Sequence, residues 1–325
     1  MLFGTIADLC YNFSLISDTS LCDHLIIKEE IKLKIALVTD STSYLTQKEI
    51  QSDHIVLIPM PVIINDKTYF ENIDLTTEQL FATQKNGADF PKTSQPSLGS
   101  LIKLFDHLHD DGYEAIIVIT LAGTISGFNQ TLQNIARLHP KYQLHAYDSK
   151  ITVRLMGYLV LAAAKMISNG LLPEQILARL DVLRATIDEI FIVDDLKNLK
   201  RGGRLSNASA LIGTMLHIKP LLTFDDTSDQ IVAFDKVRSM KRAMIKAEKL
   251  SRQRIDQLPY KDDLRFIIYH SNDQEQATQL KQMLHEIYPT LPIEIDSFGP
   301  VIATHLGEKS LGITWMKDIS KFKLD

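Results

Sequence analysis

Cysteine is almost missing from this chain. Its 325 residues hold two, Cys10 and Cys22. Their spacing suits no zinc site, and a disulfide framework needs more thiols. A reducing, cytoplasmic setting is the expectation. Long apolar runs are missing as well. The longest candidate, "LMGYLVLAAAKMI", is broken by Lys165 and is too short to span a bilayer. Positive charge is not in excess: 35 Lys and Arg stand against 40 Asp and Glu, a formal net charge of -5. That leaves no general electrostatic case for nucleic acid or an anionic membrane. An integral membrane segment is not expected, whereas a transient contact with a membrane surface stays open.

Several enzyme signatures are also lacking. "GTISG" is not a nucleophile elbow, which needs single spacers on either side of its serine. "GEKSLGIT" has Ile313 where a phosphate loop carries its lysine. No dinucleotide fingerprint follows a strand, and no His, Cys and carboxylate cluster has metal-ligand spacing. Polar anchors without a base, metal or nucleotide loop suit binding better than catalysis.

What is present is an ordinary globular composition, 45% hydrophobic and 23% charged, in a chain long enough for two domains. Residues 1–33 show no clear period and read as a peripheral leader of uncertain structure. From Lys34 onward apolar strands alternate with amphipathic helices, the pattern of an α/β fold. The expected division is an N-terminal domain over 34–155, a wound and mainly parallel sheet with helices. A C-terminal α/β domain with a mixed sheet follows over 156–325. "IVLIPMPVII" reads as one apolar strand whose prolines favour an edge or bulge. "SLGSLIKLFDHLHDDG" puts Leu98, Leu101, Ile102, Phe105 and Leu108 on one helical face. His107 and His109 on that helix read as surface. The segment after Asp195 reads as a basic loop leading into the helix "NASALIGTML". "PIEIDSF" reads as the closing strand.

Open α/β sheets bind ligands at the carboxyl ends of their strands. Three polar loops of the first half could converge there: "TDSTS", "KTSQPS" and "TLAGTISG". Hydroxyls donate to a carboxylate or phosphate without bringing a charge. The plain alternative for each is a helix cap, since Ser and Thr are common there. In "KTSQPS", Ser97 alone would cap the next helix, which leaves Thr93 and Ser94 unexplained. Glycines around Ser126 suggest close backbone approach, although a tight turn explains them too. In "LKRGGRLS", Lys200, Arg201 and Arg204 surround two glycines. Such an arginine fork suits a carboxylate or phosphate. A solvated basic loop and a protein-docking surface are the other readings. His305 could donate to an anion, or be an ordinary surface or core histidine.

Taken in order, "KIALVTDST", "PKTSQPS", "ISG", "DLKNLKRGGRLSNASALIGTMLHIKPLL", "KVRSMKRA" and "THLG" resemble the DegV family, over about Lys34 to Met316. The resemblance implies a two-domain α/β protein with a lipid tunnel between or beside the domains. A long-chain fatty acid would lie there, its carboxylate held by hydroxyls and a histidine. By motif, Thr93, Ser94, Ser126 and His305 are the implied head-group residues. Arg204 is implied in work with a partner. That partner is the ATP-binding subunit of a bacterial fatty acid kinase, which makes acyl phosphate for phospholipid synthesis. No cofactor is implied beyond the bound fatty acid, and the chain is not an enzyme by itself. Two other readings stand beside this: a stand-alone acyl hydrolase or transferase using Ser126 and His305, and a lipid-sensing regulatory module. Two departures bear on the head group. Ala122 and Gly123 stand where the family often has serines, and "HLGEKS" replaces "HTGPGA", bringing Glu308 near the implied anion site.

Overall fold

The computed structural model describes residues 33–206 and 218–324. The leader expected over residues 1–33, apart from Leu33, and the helix expected at "NASALIGTML" therefore lie outside the described residues.

The first half runs β1 (Ile35–Asp40), α1 (Gln47–Ser52), β2 (Val56–Ile58), β3 (Pro61–Ile64), β4 (Lys67–Phe70), α2 (Thr77–Lys85) and β5 (Lys92–Thr93). It continues with α3 (Leu98–Asp110), β6 (Ala115–Thr120), α4 (Phe128–Leu138), β7 (Leu144–Asp148) and α5 (Val153–Ser168). The second half runs α6 (Pro173–Arg184), β8 (Asp188–Ile192), α7 (Lys197–Gly202), β9 (Lys219–Phe224), β10 (Ile231–Val237) and α8 (Met240–Ile255). It ends with β11 (Leu264–His270), α9 (Gln274–Ile287), β12 (Ile293–Ser297), α10 (Pro300–Leu306) and β13 (Leu311–Lys317).

The fold is α/β, with a parallel sheet in the first half and a mixed sheet in the second. The parallel sheet has the order β2-β1-β6-β7. Its central strands, "IALVTD" and "AIIVIT", are buried along their whole length, as parallel strands covered on both faces must be. A second sheet, β10-β9-β8-β13-β11-β12, is antiparallel except where β11 meets β12. A small antiparallel sheet, β4-β3-β5, completes the set.

Local chemistry accounts for many boundaries. Thr46 and Glu49 form the capping box that starts α1, Ser97 caps α3, and Pro173 opens α6 at its first position. Asn65 and Asp66, both with positive φ, make the two-residue turn between β3 and β4.

Four expectations are corrected. "IVLIPMPVII" is two strands in two different sheets. Pro59 has no N–H for a ladder, and the chain leaves the parallel sheet there and enters the small antiparallel sheet as β3. Leu98 is 59% exposed, because the first helical position of α3 lies ahead of the buried face formed by Leu101, Phe105 and Leu108. The basic segment is partly helical, as α7. The chain also does not close at β12: α10 and β13 follow, and β13 inserts between β8 and β11 in the middle of the mixed sheet.

The period of two in β8 and β9 divides the core. Ile190, Ile192 and Leu221 face α8 and α9 in one apolar cluster. Phe191, Leu222 and Phe224 point the other way, into the larger core shared with α5, α10 and the parallel sheet. That second direction is where the cavity lies.

Candidate functional site

One cavity of about 320 Å³ opens between the inner face of the mixed sheet and the loops of the first half. This is within the ~300–1,000 Å³ range of small-molecule sites. Its walls are mostly apolar, with Phe191, Leu222, Phe224, Ile231, Phe298 and Ile302 among them. Thr93, Ser94, Ser126, Arg204 and His305 all line it as well.

Each polar residue reaches the cavity by a different route. Thr93 ends β5, where pairing with Val62 of β3 fixes its backbone. Ser94 follows at the strand end, its N–H donating to the Pro61 carbonyl at 3.1 Å and its hydroxyl to the Gln95 carbonyl at 3.0 Å. Ser126 lies in the turn before α4 and accepts from the Phe128 N–H at 3.3 Å. His305 sits on α10. Arg204 follows the left-handed Gly203 that ends α7, and its guanidinium donates to the carbonyls of Ile125 and Gly202.

Thr93 and His305 meet directly, with 2.8 Å between Oγ1 and Nε2. The other ring nitrogen, Nδ1, is buried without a hydrogen-bond partner. Gly202 packs against it, and a Cβ at that position would overlap Nδ1. Burial pushes the His305 pKa down to about 4, and the Arg204 guanidinium pushes the same way. The imidazole is therefore neutral at neutral pH. No hydrogen bond joins Ser126 to His305 among the described residues, so no nucleophile–base pair is assembled there.

The remaining motif residues sort differently. None of Asp40, Ser41, Thr42 and Ser43 lines the cavity. Asp40 accepts from the N–H and hydroxyl of Thr42 and from the Leu121 N–H, which ties two strand ends together. Glu308 is held by Lys85 at 2.7 Å and Asn272 at 2.6 Å. Burial works against its charge, but these two partners outweigh it and keep its pKa below the usual range. Its charge is thus neutralised at the surface and does not enter the cavity lining. At Gly123 an added Cβ would stand 2.6 Å from Asp148 Oδ2, so a side chain there requires that carboxylate to move. His107 and His109 are exposed. The aromatic and aliphatic walls were not singled out from sequence, and the alternating apolar residues of "EIFIVDD" and "LLTFDD" are the signal that could have found them. Among the described residues no cluster suits a metal ion, and no helix is long and apolar enough to cross a membrane.

The pattern of the family described as "Uncharacterised protein, DegV family" matches residues 34–318. The chain belongs to the DegV family. A DegV domain-containing protein of Listeria innocua is 39% identical over 282 residues, which is 87% of this chain and 98% of that protein. Protein DegV of Bacillus subtilis is 36% identical over 285 residues, 87% of this chain and 99% of its own. Among solved structures, DegV from Bacillus subtilis, described as a fatty acid binding protein, superposes with a TM-score of 0.78 at 35% identity. It covers 88% of this chain and 100% of that one. A fatty acid binding DegV family protein from Streptococcus agalactiae gives 0.81 at 34% identity, covering 88% and 99%. The two-domain α/β architecture of this DegV protein is the one shared with these relatives.

Proposed function

We propose that this DegV protein binds a long-chain fatty acid, acyl chain in the apolar cavity and carboxylate at the end bearing Thr93, Ser94, Ser126 and His305. The observation that carries the reading is the 2.8 Å Thr93–His305 contact in the lining of a mostly apolar cavity. Solved relatives described as fatty acid binding support it. The energetics are favourable. Each buried methylene contributes about 0.8 kcal/mol, whereas a buried carboxylate without donors would offset much of that gain. Thr93 can accept from Nε2–H while giving its own proton to the carboxylate, so a neutral pair becomes a donor to an anion.

The bound acid is then a substrate for a separate, ATP-binding kinase subunit. A carboxylate oxygen attacks the terminal phosphorus, the bond to the bridging oxygen breaks, and ADP leaves with that electron pair. The carboxylate is itself the nucleophile, so the site needs positioning and no base. Arg204, beside His305, is assigned to work with that partner, and the setting is cytoplasmic. The missing Ser126–His305 bond weighs against a stand-alone hydrolase. Displacement of a fluorescent fatty acid by palmitate or oleate tests the binding step. A protein that binds neither refutes it.

A further inference from the structure

Glu71 is fully buried, yet among the described residues no cation pairs with it. The Ser41 hydroxyl donates to it at 2.6 Å and the Val301 N–H at 3.1 Å. Ser41 in turn accepts from the Met60 N–H at 3.0 Å, and the Glu71 N–H donates to the Met60 carbonyl at 3.0 Å. Gly299 closes the cradle, because a Cβ there would stand 2.5 Å from Glu71 Oε1. The Gly299 N–H donates to the Tyr44 hydroxyl at 2.6 Å. Glu71 thus grips the first turn of α10, the helix that carries His305 one turn later. Met60 and Val301, its neighbours in this network, line the cavity.

A buried carboxylate without a cation is costly as an anion and tolerable as a neutral acid. Movement of α10 that admits water removes that penalty. We propose that Glu71 is a proton-controlled latch: its neutral form keeps the first turn of α10 seated, and its ionisation favours release of that turn and displacement of His305. The titratable groups around it do not oppose this. Asp40 disfavours the Glu71 anion, and Tyr44 is uncharged at neutral pH. Asp296 bears on Tyr44 and is itself held above the usual carboxylate range by burial. Burial pushes Glu71 up to about 7 against the pull of Ser41 and Val301. With a raised pKa in the seated form, seating is strongest at low pH and weakens as pH rises through 7.

The test is hydrogen exchange of the α10 amides in the full, ligand-free chain at pH 6 and pH 8.5, corrected for the chemical rate. Wild type is expected to exchange about tenfold faster at pH 8.5, because about one pH unit of the interval between the ordinary value of 4.5 and the seated value of about 7 lies above pH 6. Glu71→Gln, the neutral isostere, is expected to stay at the slow level at both. A wild type without a pH step, or the same step in Glu71→Gln, overturns the latch. If that variant does not fold, carboxyl ¹³C titration of the wild type decides: ionisation near 7 supports the latch and ionisation in the ordinary range overturns it. Binding of a fluorescent fatty acid reads the consequence, and this arm rests on the function proposed above. Wild type is expected to lose affinity relative to Glu71→Gln as pH rises. No binding at either pH refutes that function, while the exchange data judge the latch separately.

Discussion

Thr93 Oγ1 lies 2.8 Å from His305 Nε2, across 212 residues of chain. A two-residue strand of the first half and a seven-residue helix of the second bring them together. If this pair holds a carboxylate, Thr93→Val, which keeps the branched shape and loses the hydroxyl, should weaken fatty-acid binding about five- to thirtyfold, or ~1–2 kcal/mol. His305→Ala should act similarly, and the double variant should lose less than the sum. Titration calorimetry of all three with palmitate measures this; strictly additive losses would argue that the two act apart.

The wall behind His305 gives a second expectation. Gly202→Ala puts a methyl group onto Nδ1, which overpacks the site by ~1–3 kcal/mol and should displace the imidazole. Gly203→Ala meets no atom but must adopt φ of +69°, costing ~1 kcal/mol in stability. Fatty-acid affinity should fall in the first variant and stay near wild type in the second. Equal affinities in melting-matched conditions would contradict the contact.

Much of this arrangement was readable from sequence, and the reasons are specific. "TSQPS" and "THLG" are short, polar and unusual, so a family resemblance picked out Thr93, Ser94, Ser126, Arg204 and His305, and all five line one cavity. The run of Ile and Val in "AIIVIT" left little choice but a buried strand. Glu71 carried no such signal. In "YFENIDL" it looks like any turn carboxylate, and its burial comes from α10, more than two hundred residues later. β13 was hidden by Gly312 and Thr314, which look like a loop in sequence. Within this central strand, Gly312 packs closely against the rings of Phe191 and Phe298.

Stability should depend on pH with an unusual sign. His305, held down near 4, stabilises fully above its ordinary value of 6.5, and that stability is lost as pH falls toward 4. Burial pushes Asp40 up to about 6, and Glu71 and Glu189 up to about 7. Their contribution is present at low pH and is lost as pH rises through those values, on the order of 3 kcal/mol for each Glu. Three groups oppose one, so the melting temperature of ligand-free protein should fall between pH 5 and pH 7.5. Differential scanning calorimetry showing a rise instead would contradict this balance.

Arg204 separates binding from transfer. Arg204→Ala removes the guanidinium that bonds the Ile125 and Gly202 carbonyls, yet the hydroxyls and His305 remain. Binding of palmitate should persist while acyl-phosphate formation with added kinase subunit and ATP falls steeply. Wild-type turnover by the variant would reject its role with the partner.

Native mass spectrometry of the purified, full-length protein decides whether it carries a fatty acid. An added mass equal to one long-chain fatty acid is expected, lost on denaturation and exchangeable for added oleate or palmitate. A bare chain that takes up neither acid would contradict it.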